Sequence, residues 1–404
     1  MAGKAVYAIA TMDTKGEEIA YVAECARARG VEVILCDVGT QGPPTVTPDV
    51  SREEIAKFHP DGADAALGYT DRGEAVTAIS RALAAFLQSE VVAGKVGGLV
   101  SIGGSGGTAV ASYAMRAMPI GLPKVLVSTV ASGNTKPYVE SCDITMMYSV
   151  VDVAGLNRVS RTVLANAANA IAGMATGTVE DAGDRPALGM TMFGVTTPCV
   201  TAVSKILDEK GYECLIFHAT GTGGQAMEKL VESDMIGGVL DITTTEVCDE
   251  VVGGVLTAGP MRIDAIIEKQ VPYVVSLGAL DMVNFGPRES VPEQFNDRFL
   301  HVHNEQVTLM RTTPDECREI ARWITSKLNR STAPVLVLIP EKGVSMIDAE
   351  GQVFYDAEAD AALFEEFEKT LDVTETRQIR RLPLHVNDPE FAEALVAAYE
   401  EVAG

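Results

Sequence analysis

The sequence predicts an α/β protein made of two homologous doubly wound parallel-sheet lobes with a cleft between them. Three observations predict it. Short β-branched runs alternate with helical stretches, the pattern of a parallel sheet covered on both faces. One strand–helix–strand unit occurs in each half of the 404 residues, its closing glycines Gly30 and Gly211 lying 181 positions apart. The segments that follow the strands are rich in Gly, Thr, Ser and Asp, as ligand-facing loops of such sheets are.

Taken in order, residues 5–10 read as a buried strand, 17–29 as a helix closed by Gly30, and 31–37 as a strand turning at Gly39. The second half repeats this with strand 188–193, helix 200–210 closed by Gly211, and strand 212–218. Asp37-Val38-Gly39-Thr40-Gln41-Gly42 and His218-Ala219-Thr220-Gly221-Thr222-Gly223 then match at the same offset. Further on, 97–102 answers 237–242 and 122–128 answers 271–276, with the order kept and the offset shortened. The first copy therefore holds extra chain, about 45–88, which includes a Ser51-x-x-Glu54 capping box. These two Rossmann-like lobes divide as 1–180 and 181–404, joined at a polar, helix-breaking stretch from Thr176 to Arg185. Strand 334–339 and acidic helical stretches at 357–371 and 389–402 complete the second lobe.

Composition narrows the function. Fifty-six acidic against 32 basic side chains leave a charge of −24, which repels nucleic-acid backbone and anionic membrane surfaces. Any phosphate must be held locally. Seven cysteines without a C-x-x-C pair, several in apolar runs, fit a reducing, cytoplasmic setting. The first ten residues are too short for a secretory core, and no uncharged apolar stretch approaches bilayer length.

The chemistry-bearing residues collect on the carboxyl side of the predicted strands. Gly103-Gly104-Ser105-Gly106-Gly107-Thr108 follows one strand and precedes a helix expected from about Ala109. Glycines let backbone approach a ligand, and unpaired N–H groups at a helix start attract an anion, so this is a phosphate cradle; a tight turn with close helix packing is the plain alternative. It is neither a Walker A sequence nor a strict dinucleotide fingerprint. Thr11-Met12-Asp13-Thr14-Lys15-Gly16 offers Lys15 as a point charge for phosphate, Asp13 as a magnesium ligand and Thr14 as a cap or phosphate contact, or it merely caps the next helix. Ser128, Thr129, Ser132, Gly133 and Asn134 form a third polar loop on the same edge. Met146 and Met147 read as core or interface filler.

The second lobe offers hydroxyls, carboxylates and one imidazole but no lysine, a set suited to a small polar molecule. His218 is a general base, a metal ligand or a hydrogen-bonded structural residue. Asp241 and Glu246 are the carboxylates placed for catalysis. His301-x-His303 lacks enough neighbouring ligands for zinc, Arg311 is an anion clamp or a surface ion pair, and Cys199 is structural unless exposed.

The segments 11–16, 103–108, 128–134, 192–198, 218–224, 241–246 and 278–286 resemble a bacterial and plant family that includes the ATP-binding inhibitory region of the tomato mosaic virus resistance protein. The similarity covers nearly the whole chain. It implies ATP and Mg2+ in the first lobe, homodimers or larger assemblies, and a separate TIM-barrel protein as partner. The combined expectation is ATP–magnesium held by Lys15, the 103–107 amides and Asp13, with phosphoryl or nucleotidyl transfer to a small polar substrate in the cleft. The alternatives are a non-catalytic, ATP-regulated interaction module, or an enzyme of small acids or sugar phosphates without ATP.

Overall fold

A computed structural model describes residues 4–178, 183 and 185–404. The chain divides into two compact units, Met1–Ala182 and Gly183–Gly404. Much of the helix-breaking junction read from the sequence, residues 179–182 and 184, lies outside the described residues.

The N-terminal unit runs β1 Ala5–Ala10, α1 Met12–Arg27, β2 Val33–Asp37, α2 Arg52–Ala56, α3 Arg72–Val92, β3 Val96–Gly103, α4 Ser105–Arg116, β4 Lys124–Ser128, α5 Lys136–Val139, β5 Thr145–Tyr148 and α6 Arg158–Thr176. Its five strands are parallel in the order β2-β1-β3-β4-β5. Parallel strands need a crossover helix, and the chain supplies helices to both faces. On one face α1 and α6 bury Ile19, Val22, Leu164 and Ile171 against Val6, Val100 and Val127. On the other, α3 and α4 bury Ile79, Leu83 and Val110 against Tyr7, Leu99 and Leu126. Fully burying each such aliphatic side chain contributes about 1.5–3 kcal/mol. The strands are therefore near-continuous apolar runs, which is why they were legible.

The C-terminal unit runs β6 Ala187–Met192, α7 Thr197–Glu209, β7 Glu213–His218, α8 Thr222–Glu232, β8 Gly238–Thr243, α9 Thr245–Val252, α10 Asp264–Lys269, β9 Tyr273–Gly278, β10 Met282–Phe285, β11 Leu300–Asn304, β12 Val307–Arg311, α11 Pro314–Leu328, β13 Val335–Pro340, α12 Ala357–Thr370, β14 Arg377–Leu382 and α13 Pro389–Ala403. Its parallel sheet has the order β14-β13-β9-β8-β6-β7. Its first four strands thus repeat the order of the first sheet, second–first–third–fourth. Gly30 and Gly211 take matching positive φ values of 85° and 90° where α1 and α7 end. Both units are doubly wound, as the sequence predicted.

Three local differences matter. Helix α1 begins at Met12, five residues earlier than the glycine in Lys15-Gly16 suggested, and absorbs that glycine with a kink at Lys15 (φ −129°, ψ 19°). Helix α4 begins at Ser105, so the glycine run is the helix's own first turn. A separate antiparallel sheet, β10-β12-β11, stands beside the parallel one and has no counterpart among the described residues of the first unit. The extra chain of the first unit forms α2 and α3, and its capping box is present, with Glu54 N–H donating to Ser51 Oγ (3.3 Å) and Ser51 N–H to Glu54 Oε2 (2.8 Å). Helix α3 is long enough to cross a membrane, 21 residues with mean hydropathy 1.3, but half of it is buried in the core.

Candidate functional site

In the first sheet the order reverses between β1 and β3, and the helices leaving these two strands go to opposite faces. A crevice opens at such a switch point, outside the carboxyl ends of the strands. Segments 11–16 and 103–108 leave adjacent strands there, about 4.8 Å apart in the sheet.

The α4 terminus is shaped by packing. A side chain at Gly103 would come within 2.9 Å of Gly107 Cα, so only glycine lets β3 turn this tightly into the helix. Thr108 N–H donates to Gly104 O (2.9 Å), closing the first turn. The amides of Ser105, Gly106 and Gly107 have no partner among the described residues, and no side chain caps the helix. Arg72, the first residue of α3, reaches this backbone: its Nη2 lies 3.2 Å from where a Gly106 side chain would begin. Among the described residues Arg72 is in no ion pair, and neither is the half-buried Lys15.

The neighbouring loops take different parts. Thr108 Oγ1 and Ser128 Oγ share a buried hydrogen bond of 2.6 Å, tying β4 to α4, while Thr129 N–H donates to Gly103 O (3.2 Å). Gly104 faces Thr129 Oγ1. Ser132, Gly133 and Asn134 are exposed, and Asn134 accepts Lys136 N–H in a local turn. Thr14 Oγ1 meets Thr11 O and Thr11 Oγ1, each at 3.3 Å. Asp13 Oδ2 accepts Gln41 N–H (3.0 Å) and Gly42 N–H (3.3 Å), so one carboxylate oxygen orders the 39–42 turn. Asp37 Oδ1 accepts Met12 N–H (3.0 Å) and Gly39 N–H (2.8 Å), and burial pushes this carboxyl up.

The corresponding edge of the second unit is filled from within. Asp241 is fully buried and accepts both Arg262 Nη2 contacts (2.8 Å each), Tyr273 OH (2.7 Å) and Thr191 Oγ1 (2.6 Å). Glu246 accepts Gly221 N–H (2.7 Å), Gly224 N–H (3.0 Å) and Arg262 Nε (3.0 Å). Glu228 completes the ring on Arg262 at 3.2 Å. Burial raises Glu246 and brings Glu228 up to about 7, while the three carboxylates outweigh burial and hold Arg262 charged. Neither Asp241 nor Glu246 is presented as a base. His218 ends β7 exposed, its ring 5.4 Å from Phe193.

One further expectation is corrected and another is met. Arg311 is neither a surface pair nor an anion clamp: it is buried and bonds Asp348 (3.1 Å) and Asp360 (2.6 Å). Cys199 is buried, its thiol pushed up to about 12 by burial. Among the described residues no group of three or more His, Cys, Asp or Glu is placed to hold a metal ion, so any magnesium at Asp13 would complete its shell from phosphate and water.

Sequence reasoning missed both arginines. Each stands alone: Arg72 is the single Lys or Arg between Lys57 and Arg81, and Arg262 the single one between Lys229 and Lys269, amid eight carboxylates. An isolated arginine among acids in an aliphatic stretch was the available signal.

Comparison with known proteins places both units in one family. Residues 4–180 match the N-terminal domain, and residues 185–403 the C-terminal domain, of the uncharacterised protein family UPF0261. The UPF0261 protein RA0729 of Rhizobium meliloti is 55% identical over 99% of both chains. A UPF0261 protein of Clostridium tetani is 48% identical over 97% of both. The ToMV resistance protein Tm-1(GCR237) of Solanum lycopersicum is 45% identical over 98% of this chain and 56% of its own. The chain belongs to the UPF0261 family.

Proposed function

We propose that this UPF0261 member binds ATP–magnesium at the switch point of its N-terminal unit. The observation that carries this is the α4 terminus, where three amides without a partner, a side-chain-free Gly106, and Arg72 and Lys15, cations in no ion pair among the described residues, stand on one sheet edge. A helix start of this kind favours phosphate, and the cations supply the charge that a chain of −24 otherwise lacks. Asp13, with Oδ1 left over from its turn contacts, is the residue that would hold the ion. Bound magnesium neutralises phosphate charge.

The role proposed for the nucleotide is control of binding rather than acid–base chemistry by Asp241 or Glu246, because both are locked into the Arg262 network. Transfer to a small polar substrate would leave His218 as the base. The proposed setting is the cytoplasm, with all seven cysteines free. A homo-oligomer and a separate barrel protein remain the proposed partners, the latter because the tomato relative extends well beyond the matched part.

Thermal unfolding of wild type and Gly106→Val with ATP–magnesium, inorganic phosphate or a sugar phosphate tests the reading. A ligand at a hundred times its dissociation constant adds about 2.7 kcal/mol. Stabilisation by ATP–magnesium in wild type, absent in Gly106→Val, is expected. Stabilisation by the sugar phosphate alone would replace ATP with the small-acid reading, and no shift with any of them would remove the anion site.

A further inference from the structure

The carboxyl edge of the second sheet is covered by the segment 343–356, which follows β13. Ala279 N–H donates to Val344 O (2.8 Å), Met346 N–H to Val195 O (3.0 Å), and Arg311 Nε to Phe354 O (2.7 Å). Phe354 is buried in a small apolar cluster with Val195, Ala279, Met282 and Leu309, separate from the main core. Beneath the segment lie buried hydroxyls, Thr196 and Thr243, joined at 2.7 Å. This is the edge on which a doubly wound sheet takes its ligand.

What fastens the segment is out of charge balance. One guanidinium, Arg311, faces three carboxylates: Asp281 from the β9–β10 connection, Asp348 from the segment, and Asp360 from α12. Asp281 and Asp348 are fully buried. The remaining titratable groups around them do not restore balance. Asp356 caps α12 nearby, and Cys248 of α9 and Cys317 of α11 are thiols that burial raises. His385 accepts Asn387 N–H at Nδ1 (3.0 Å), which leaves Nε2 to donate to Ser345 O (2.9 Å). Ser345 Oγ donates to Asp281 Oδ2 (2.7 Å), yet Asp281 Oδ1 is buried without a partner among the described residues. Two excess negative charges in a dry site are untenable unless one is neutralised. A carboxyl hydrogen removes one of these two charges.

We infer that Asp281 and Asp348 share one proton, and that this proton is what keeps the 343–356 segment closed over the second sheet's edge. Burial, with the neighbouring Asp281 and Asp360 carboxylates, pushes Asp348 up to about 9, which places the release on the alkaline side. Between the ordinary carboxyl range, about 4, and that point each pH unit shifts the closed-to-open ratio about tenfold towards open, and above it the ratio levels off.

Limited proteolysis with a broad-specificity alkaline protease tests this, with each rate normalised to an unstructured reference peptide. Cleavage within 343–356 should rise about tenfold between pH 8 and pH 10 in wild type and stay flat in Asp348→Asn, which needs no proton to be neutral. Asp281→Asn provides the same test should Asp348→Asn fail to fold. A flat wild-type profile, variants that follow wild type, or cleavage spread across the whole C-terminal unit would each overturn the inference.

Discussion

Helices α4 and α9 leave equivalent strands of the two units, and the second residue of each decides what the helix start can do. In α4 it is Gly106, with Arg72 against the bare backbone. In α9 it is Glu246, whose carboxylate meets Arg262 and the Gly221 and Gly224 amides. The second unit thus turns this helix position towards the start of α8 and Arg262, where the first leaves bare backbone. The same helix position is thus bare in one unit and part of a buried ion network in the other.

The largest effect that would break this contrast comes from the network's centre. Arg262→Leu strands Asp241, Glu246 and Glu228 without a counter-charge, and should destabilise the C-terminal unit by about 3–5 kcal/mol in denaturant unfolding. A loss under about 1 kcal/mol would mean that the network is not structural.

Next in size is Gly106→Glu, which gives the first unit the second unit's carboxylate. It should remove the ATP–magnesium stabilisation, about 2.7 kcal/mol at a hundredfold ligand excess, while leaving the unliganded midpoint nearly unchanged. Retained stabilisation would move the ligand off the α4 terminus.

Particular carboxyls of the two units should also respond oppositely to pH. In the N-terminal unit burial works against Glu90 and Asp143, but Lys95 and Lys124 hold both below their ordinary values. Their stabilisation is present above about pH 4 and is lost as acid protonates them. In the C-terminal unit burial pushes Asp249 up to about 7. The folded state keeps that proton when the unfolded chain has released it, so stability falls as pH rises from about 4 to 7, by up to about 1.4 kcal/mol per unit. Asp249→Asn should reduce this slope in urea titrations by that amount, and an unchanged slope would contradict the assignment. The smallest effect is Ser51→Ala, which removes one cap of α2 and should cost about 1 kcal/mol.

The fold was legible because parallel strands such as β1, β3 and β9 are buried on both faces and therefore apolar throughout, and because the repeat kept its order. The open site was half legible. Glycines and Lys15 are local signals, whereas Arg72 is delivered by α3 across the fold. Asp241 and Glu246 misled because a carboxylate on a strand edge looks the same in sequence whether it faces water or a buried arginine. The β10–β12 sheet was missed because Asn284 and Thr308 are polar yet fully buried, which breaks the alternation that marks a strand.

Binding stoichiometry tests the contrast between the units most directly. Calorimetric titration of the intact protein with ATP–magnesium should give one site per chain, abolished in Gly106→Glu and unaltered in Glu246→Gln. Two sites per chain, or one that survives Gly106→Glu, would contradict it.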